Sequence, residues 1–220
     1  MESTTRLAER HAMVQDQLQK RGIQNPWVLQ AMLDIPRHFF VPEDYHLKAY
    51  EDRPLPLAYG QTISQPYIVA SMIELIEPKI TDRVLEVGVG SGYSIAVLSR
   101  VVGAAYGVEK NETLLKEAGQ KLLALDLPKI QLKRGDGTLG WPEEAPFDAI
   151  LVTAGSPKIP AALLSQLKVG GVMVLPVGGR DEQKLIRIVK GEGAHFQEKE
   201  LYPVKFVPLV GQEGWPENSL

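Results

Sequence analysis

The sequence predicts an α/β protein built on a doubly wound, mostly parallel sheet. Three observations carry that expectation. From Arg83 onward, short apolar runs of strand type alternate with segments of helical period. One run, residues 147–153, is almost wholly apolar, as a strand covered on both faces must be. Another, residues 84–87, runs straight into three alternate glycines, Gly88, Gly90 and Gly92, before a helical pattern opens.

The totals agree and exclude several classes. A chain of 220 residues is long enough for one domain with a sizeable core and appendages. Its hydrophobic content of 44% and charged content of 23% are ordinary for a soluble globular protein. A formal net charge of −3 and a pI near 5.9 argue against a surface that grips phosphate backbones, so no nucleic-acid partner is expected. No run approaches the roughly 18 apolar residues of a membrane span, and the polar start Met1-Glu2-Ser3-Thr4-Thr5-Arg6 does not read as a secretory leader. The absence of cysteine excludes disulfides and thiol nucleophiles. His11, His38, His46 and His195 lack metal-ligand spacing, so no metal site is expected. The default expectation is a cytoplasmic monomer.

In chain order, residues 5–21 read as an amphipathic helix, with Leu7, His11, Val14 and Leu18 on its inner face and Gly22 as its stop. Asn25-Pro26 reads as an N-cap followed by proline at the first helical position, opening a helix over 27–33 that ends before Pro36. Trp27 and Met32 are expected in the core. Residues 37–59, rich in proline and aromatics without a clean period, read as loop and short turns. A polar segment then leads to a helix over 66–76, with Ser64 as the expected cap. The repeating units follow: strand 84–87 and helix 94–101; strand 104–108 and helix 112–125; strand 130–133; strand 147–153; helix 160–167, stopped by Gly170-Gly171; and strand 172–176. Residues 185–189 and 204–207 add strands around a turn at 190–193, and the tail 211–220 is expected to be poorly ordered. The expected organisation is an N-terminal helical and substrate-covering region (1–78), an α/β core (79–192) and a C-terminal strand and tail (193–220), joined in one compact unit.

In open α/β sheets, ligands bind at the carboxyl ends of the strands. The glycine corner lies at such an end, where backbone N–H groups can approach a ligand closely and a helix N-terminus favours negative groups. A dinucleotide fingerprint would place its third glycine at position 93, where this chain has Tyr93. Two acidic residues stand at the neighbouring strand ends. Glu109 is placed to accept both hydroxyls of a ribose, and Asp136, flanked by Gly135 and Gly137, is placed to accept an adenine amine. Glu86 either contacts the ligand or braces the loop.

The Glu86-x-Gly88-x-Gly90-x-Gly92 form resembles the first motif of the S-adenosylmethionine-dependent methyltransferases. The likeness extends further. Leu55-Pro56-Leu57, the string from Tyr59-Gly60-Gln61-Thr62-Ile63-Ser64-Gln65-Pro66-Tyr67 to Ala70, Arg134-Gly135-Asp136-Gly137 to Pro142, residues 145–150 and Pro176-Val177-Gly178 together resemble the protein-L-isoaspartate O-methyltransferases, over residues 13–211. Two departures stand on the binding face: Val89 where the family often has threonine, and Ala154-Gly155-Ser156-Pro157 in place of an A-A-P ending.

The resemblance implies a Rossmann-like methyltransferase sheet and transfer of a methyl group from S-adenosyl-L-methionine to the α-carboxylate of L-isoaspartyl residues in damaged proteins and peptides. The ester then collapses to a succinimide. A serine at the Ser64 position carries the active-site role in the family. That role is carried over to Ser64 alone; in all, Ile63, Ser64, Glu86, Gly88, Gly90, Gly92, Tyr93, Glu109, Lys110, Asp136 and Gly137 are expected to hold the cofactor, and Gln61, Thr62 and Ser64 the substrate. The cofactor motifs alone suit a methyltransferase acting on a small-molecule carboxylate or hydroxyl equally well. A nucleic-acid amino-methyltransferase would need an Asn/Asp-Pro-Pro-Tyr motif, which Ser64-Gln65-Pro66-Tyr67 matches only superficially. A non-catalytic binding module would leave the polar 61–67 segment without a task.

Overall fold

A computed structural model describes residues 6–127, 129–193 and 195–217. Its centre is a seven-stranded sheet of order β5-β4-β3-β6-β7-β8-β9. The strands are β3 (Arg83–Val87), β4 (Ala104–Glu109), β5 (Ile130–Arg134), β6 (Phe147–Val152), β7 (Leu167–Gly178), β8 (Gln183–Lys190) and β9 (Phe196–Val204). A separate pair, β1 (Leu55–Pro56) and β2 (Thr62–Ile63), lies antiparallel ahead of it. Strands β5 to β7 in the sheet order are parallel, and β8 and β9 return antiparallel. The chain winds outward from β3 through β4 to β5, then crosses back to β6 on the other side of β3. The strand order therefore reverses between β3 and β6, and that is where a doubly wound sheet opens a crevice.

Alternate side chains of the central strands feed two cores. Val84, Ala105, Ala149, Leu151 and Val174 pack toward helices α3 (Pro66–Leu75), α4 (Tyr93–Leu98) and the N-terminal helices, whereas Leu85, Val87, Tyr106, Val108, Ile150 and Met173 pack on the opposite face. Period-two alternation with both faces covered is why these strands read as unbroken apolar runs. Glu86 shares the face of Val84, and it is completely buried.

The first helical stretch is α1 (Leu7–Ala12), continued by a wider π-type turn over Met13–Leu18 and a 3₁₀ turn over Gln19–Arg21. Its buried residues are Arg10, Met13, Val14 and Leu18. Leu7 and His11, expected inside, are exposed; the inward side of this stretch is carried by Arg10, Met13 and Val14 instead. Helix α2 (Pro26–Asp34) is capped as its sequence predicts, with Asn25 Oδ1 accepting from the N–H groups of Trp27 and Val28. Its inner stripe is Val28, Ala31 and Met32; Trp27 falls on the outer face and is 74% exposed, against expectation.

Further differences are local. The capping position of α3 is Gln65, without a side-chain cap bond, so Ser64 does not serve as the cap. Helix α4 begins at Tyr93, α5 spans Glu112–Ala124, and α6 spans Ala161–Ser165. Gly170-Gly171 lie inside β7, which starts at Leu167 and shifts register against β6, so these glycines do not stop the helix. The last strand is β9, ending where a strand over 204–207 had been expected to begin. The tail is folded through Glu217: Gly211 donates its N–H to Trp215, and Trp215 donates its own to Leu209. The remaining tail positions, 218–220, lie outside the described residues.

Candidate active site

A cavity of about 400 Å³ opens at the carboxyl ends of β3, β4 and β6, within the range of small-ligand sites. Residues 88–91 form its floor. Gly88 has φ +92°, donates its N–H to Val108 O, and receives the Thr153 hydroxyl on its own carbonyl at 2.6 Å. The same hydroxyl reaches Val87 O at 3.0 Å, so Thr153 at the end of β6 pins the turn from the neighbouring strand. Gly92, also at positive φ, is the N-cap of α4, and a Cβ there would lie 3.1 Å from the Cβ of Ala118 on α5. It serves the packing of the turn and does not line the cavity.

Glu109 ends β4 and lines the cavity. Its Oε2 accepts from Gly90 N at 2.9 Å and its Oε1 from Asn111 N at 2.8 Å. Asn111 in turn caps α5 through the N–H groups of Thr113 and Leu114. One carboxylate thus ties the glycine floor to the next helix start. Glu86 lies beneath that floor, bonded through Oε2 to the hydroxyl of Ser94 at 2.9 Å. Its Oε1 is buried and has no partner among the described residues. Burial, outweighing the Ser94 bond, pushes its pKa up to about 8, and the like charge of Glu109 adds to the rise. Tyr93 borders the cavity with its ring nearly buried; its hydroxyl donates to Met32 Sδ at 3.7 Å, and burial raises its pKa.

Asp136 follows β5, but its carboxylate is engaged elsewhere. Oδ1 accepts from the N–H and hydroxyl of Thr138, and Oδ2 accepts from Gln212 N at 2.8 Å. Gly137 lines the cavity and Asp136 does not.

The remaining walls come from residues distant in sequence. Gln61, Thr62, Ile63 and Ser64 form one side, Lys110 stands at the rim bonded to Glu217, and residues 207–210 form the other side. That last segment is held by a reciprocal pair of bonds, Gly155 N to Val207 O and Leu209 N to Gly155 O, both 2.8 Å. Thr62 and Ser64 also border a second hollow of about 290 Å³, formed with Pro54, Ile68, Lys205 and Phe206. Both departures noted in the sequence reach the cavity: Val89, buried and packed over Gly107, lines it, and so does Ala154.

The structure thus brings together Gln61, Thr62, Ile63, Ser64, Glu86, Gly88, Gly90, Tyr93, Glu109, Lys110 and Gly137 in one cavity. Sequence reasoning missed Thr153 and Glu217. Residues 207–210, expected as part of the C-terminal strand and tail, also enter the main cavity. The apolar Val207-Pro208-Leu209 run was the available signal. The residues present suit S-adenosylmethionine: a glycine floor, an acceptor for a ribose at Glu109, and an unpartnered buried acceptor at Glu86 for a cationic donor.

The comparisons with known proteins agree. Residues 8–214 match the family model described as Protein-L-isoaspartate(D-aspartate) O-methyltransferase. A protein-L-isoaspartate O-methyltransferase of Pelotomaculum thermopropionicum is 50% identical over 97% of this chain and 93% of its own length. A solved protein-L-isoaspartate O-methyltransferase superposes with a TM-score of 0.85 at 30% identity, covering 93% of this chain and 67% of that one. A Plasmodium falciparum structure, described as a protein of the same kind in complex with S-adenosyl-L-homocysteine, shares the fold at a TM-score of 0.77 and 24% identity, over 91% of this chain and 98% of that one. The chain belongs to the protein-L-isoaspartate O-methyltransferase family, the repair enzymes that transfer a methyl group from S-adenosylmethionine to the α-carboxylate of L-isoaspartyl residues.

Proposed function

We propose that this chain carries out the repair reaction by positioning alone, with Ser64 as its catalytic residue and no protein base or nucleophile. The observation that carries the assignment is that Thr62 and Ser64 share one cavity with the glycine floor and Glu109, and also border the adjoining hollow. They stand where a peptide carboxylate in the hollow meets a donor in the cavity. S-adenosylmethionine, when bound, supplies a methyl group already activated on sulfonium. The substrate carboxylate, with a reference pKa of about 4, is ionised at neutral pH and needs no deprotonation. The hydroxyls of Ser64 and Thr62, with the Gln61 amide, are the donors that aim it. Aligning the reacting atoms is worth up to about 7–11 kcal/mol when geometry is ideal.

On the cofactor side, Glu109 is the acceptor for the ribose diol, while Glu86, Gly88 and Gly90 receive the amino-acid end. Ile63, Tyr93, Lys110 and Gly137 complete the enclosure. A carboxylate offers about four acceptor sites, and Asp136 already fills three with Thr138 and Gln212. Its main task is therefore to fix the turn that presents Gly137, with one Oδ2 lone pair left for the adenine amine. The acidic balance of the chain supports peptide over nucleic-acid substrates, and we place the enzyme in the cytoplasm as a monomer.

Ser64→Ala tests the central assignment. Affinity for S-adenosylhomocysteine, measured by calorimetry, should stay within several-fold of wild type. Turnover of an isoaspartyl peptide should fall about 10- to 100-fold, the loss of one hydrogen bond to a charged group. Unchanged turnover, or collapse of cofactor binding, would remove Ser64 from this role.

A further inference from the structure

Among the described residues, Glu86 has no solvent exposure, one side-chain hydrogen bond and one oxygen without a partner. The titratable and charged groups sharing the cavity wall with it are Glu109 and Lys110 from the end of β4, Tyr93 from α4, Tyr59 ahead of β2, and Glu217 of the tail. Helix α3 contributes only Val69 and Met72, and β6 ends in the neutral Thr153. Lys110, the one cation among the described lining residues, is bonded to Glu217. Glu109 acts on Glu86 as a like charge. A buried carboxylate with a single neutral donor and no cation is held as the acid, because desolvation penalises the anion far more than one hydroxyl repays.

Of the groups on S-adenosylmethionine, the α-ammonium is the one that offers both positive charge and N–H donors. We infer that Glu86 carries a proton in the cofactor-free protein and releases it to solvent as that ammonium docks against Oε1. The O–H bond of the acid breaks and its proton passes to buffer. The ammonium keeps its own protons and donates one hydrogen bond, leaving a buried ion pair. The inference rests on the reading of this cavity as the cofactor site.

The sign follows from linkage. With a pKa of about 8, Glu86 is about nine-tenths protonated at pH 7, and binding should release nearly that fraction of a proton. Cofactor affinity should therefore tighten by close to tenfold per pH unit at about pH 6, the slope easing as pH passes about 7. The cofactor's own amine titrates above that window, near the reference α-amino range of about 7.7–8.0. Without cofactor the effect reverses. The folded protein holds a proton that the unfolded chain loses near pH 4.5, so Glu86 erodes stability as pH rises from there toward 8.

The experiment is titration calorimetry with S-adenosylhomocysteine, which keeps the amino-acid end and is not turned over. It is run at pH 7 in buffers of different ionisation enthalpy. 5′-Methylthioadenosine, which lacks that end, and Glu86→Gln, which keeps an acceptor for Ser94, serve as controls. Net release of most of a proton in wild type, with none for the thioadenosine or for Glu86→Gln, is the expected result. Binding of S-adenosylhomocysteine with no net proton release would overturn the inference while leaving the cofactor site in place. Failure of S-adenosylhomocysteine to bind would overturn the site itself. If Glu86→Gln does not fold, the comparison of the two ligands on wild type still decides, since equal proton release from both contradicts the assignment.

Discussion

Gly88→Ala perturbs the turn on which the cavity is built, and its cost can be worked from two features of that position. The backbone stands at φ +92°, a conformation that costs a non-glycine residue about 1–3 kcal/mol. A Cβ there would also lie 2.9 Å from Thr153 Oγ1, the atom that donates to the carbonyls of Val87 and Gly88. Displacing that hydroxyl forfeits a net contribution of about 1 kcal/mol. The sum is about 2–4 kcal/mol, read as a lower urea midpoint at unchanged m-value. Because Gly88 and Thr153 both line the cavity, affinity for S-adenosylhomocysteine should fall at least about tenfold, or 1.4 kcal/mol. A double-mutant cycle with Thr153→Ala separates the two causes: removing the hydroxyl relieves the contact but not the backbone strain. The double variant should therefore be about 1 kcal/mol more stable than additivity requires. Loss of less than about 0.5 kcal/mol in Gly88→Ala, or a strictly additive cycle, would refute the geometry argued for this turn.

Two further variants probe the acidic strand ends. Glu109→Ala frees Gly90 N and Asn111 N together and removes the proposed ribose acceptor. Calorimetry should show S-adenosylhomocysteine affinity reduced about 10- to 100-fold, the scale of a lost charged hydrogen bond, and unchanged affinity would take Glu109 out of the site. Asp136→Ala strips the acceptor from Thr138 and Gln212, so limited proteolysis should cut within residues 211–217 faster than in wild type, with a stability loss of about 1–3 kcal/mol; a tail as resistant as the wild type's would show that Asp136 does not hold it.

The parallel core was legible because its signals are local. Apart from Glu86 and Asp148, residues 84–87, 104–108 and 147–152 carry no charge on either side of the pleat, and only a strand covered on both faces calls for that. Asn25 announced its helix because capping involves atoms two and three residues away. What escaped depended on partners far along the chain or on which way a helix turns its faces. Trp27 has the composition of a core residue, yet it sits one position before Val28, and a 100° step on a helix turns it off the stripe that packs and out toward solvent. Gly170-Gly171 carried a stop signal, but the strand they enter is dictated by pairing with β6 and β8.

Glu109 and Asp136 show the same boundary within the site. Both are carboxylates at the ends of adjacent parallel strands, and spacing alone assigns them equivalent tasks. Glu109 turns to the N–H of Gly90, 19 residues earlier, and so stays in the cavity wall. Asp136 turns to the N–H of Gln212, 76 residues later, and spends most of its acceptor capacity fastening the tail. That tail then returns Glu217 to the cavity rim beside Lys110. Strand-end position thus marks which residues can reach a ligand. Which of them is free to do so is decided by the last segment of chain to fold over the site, and that competition between a ligand and a backbone N–H has no periodic or local signature.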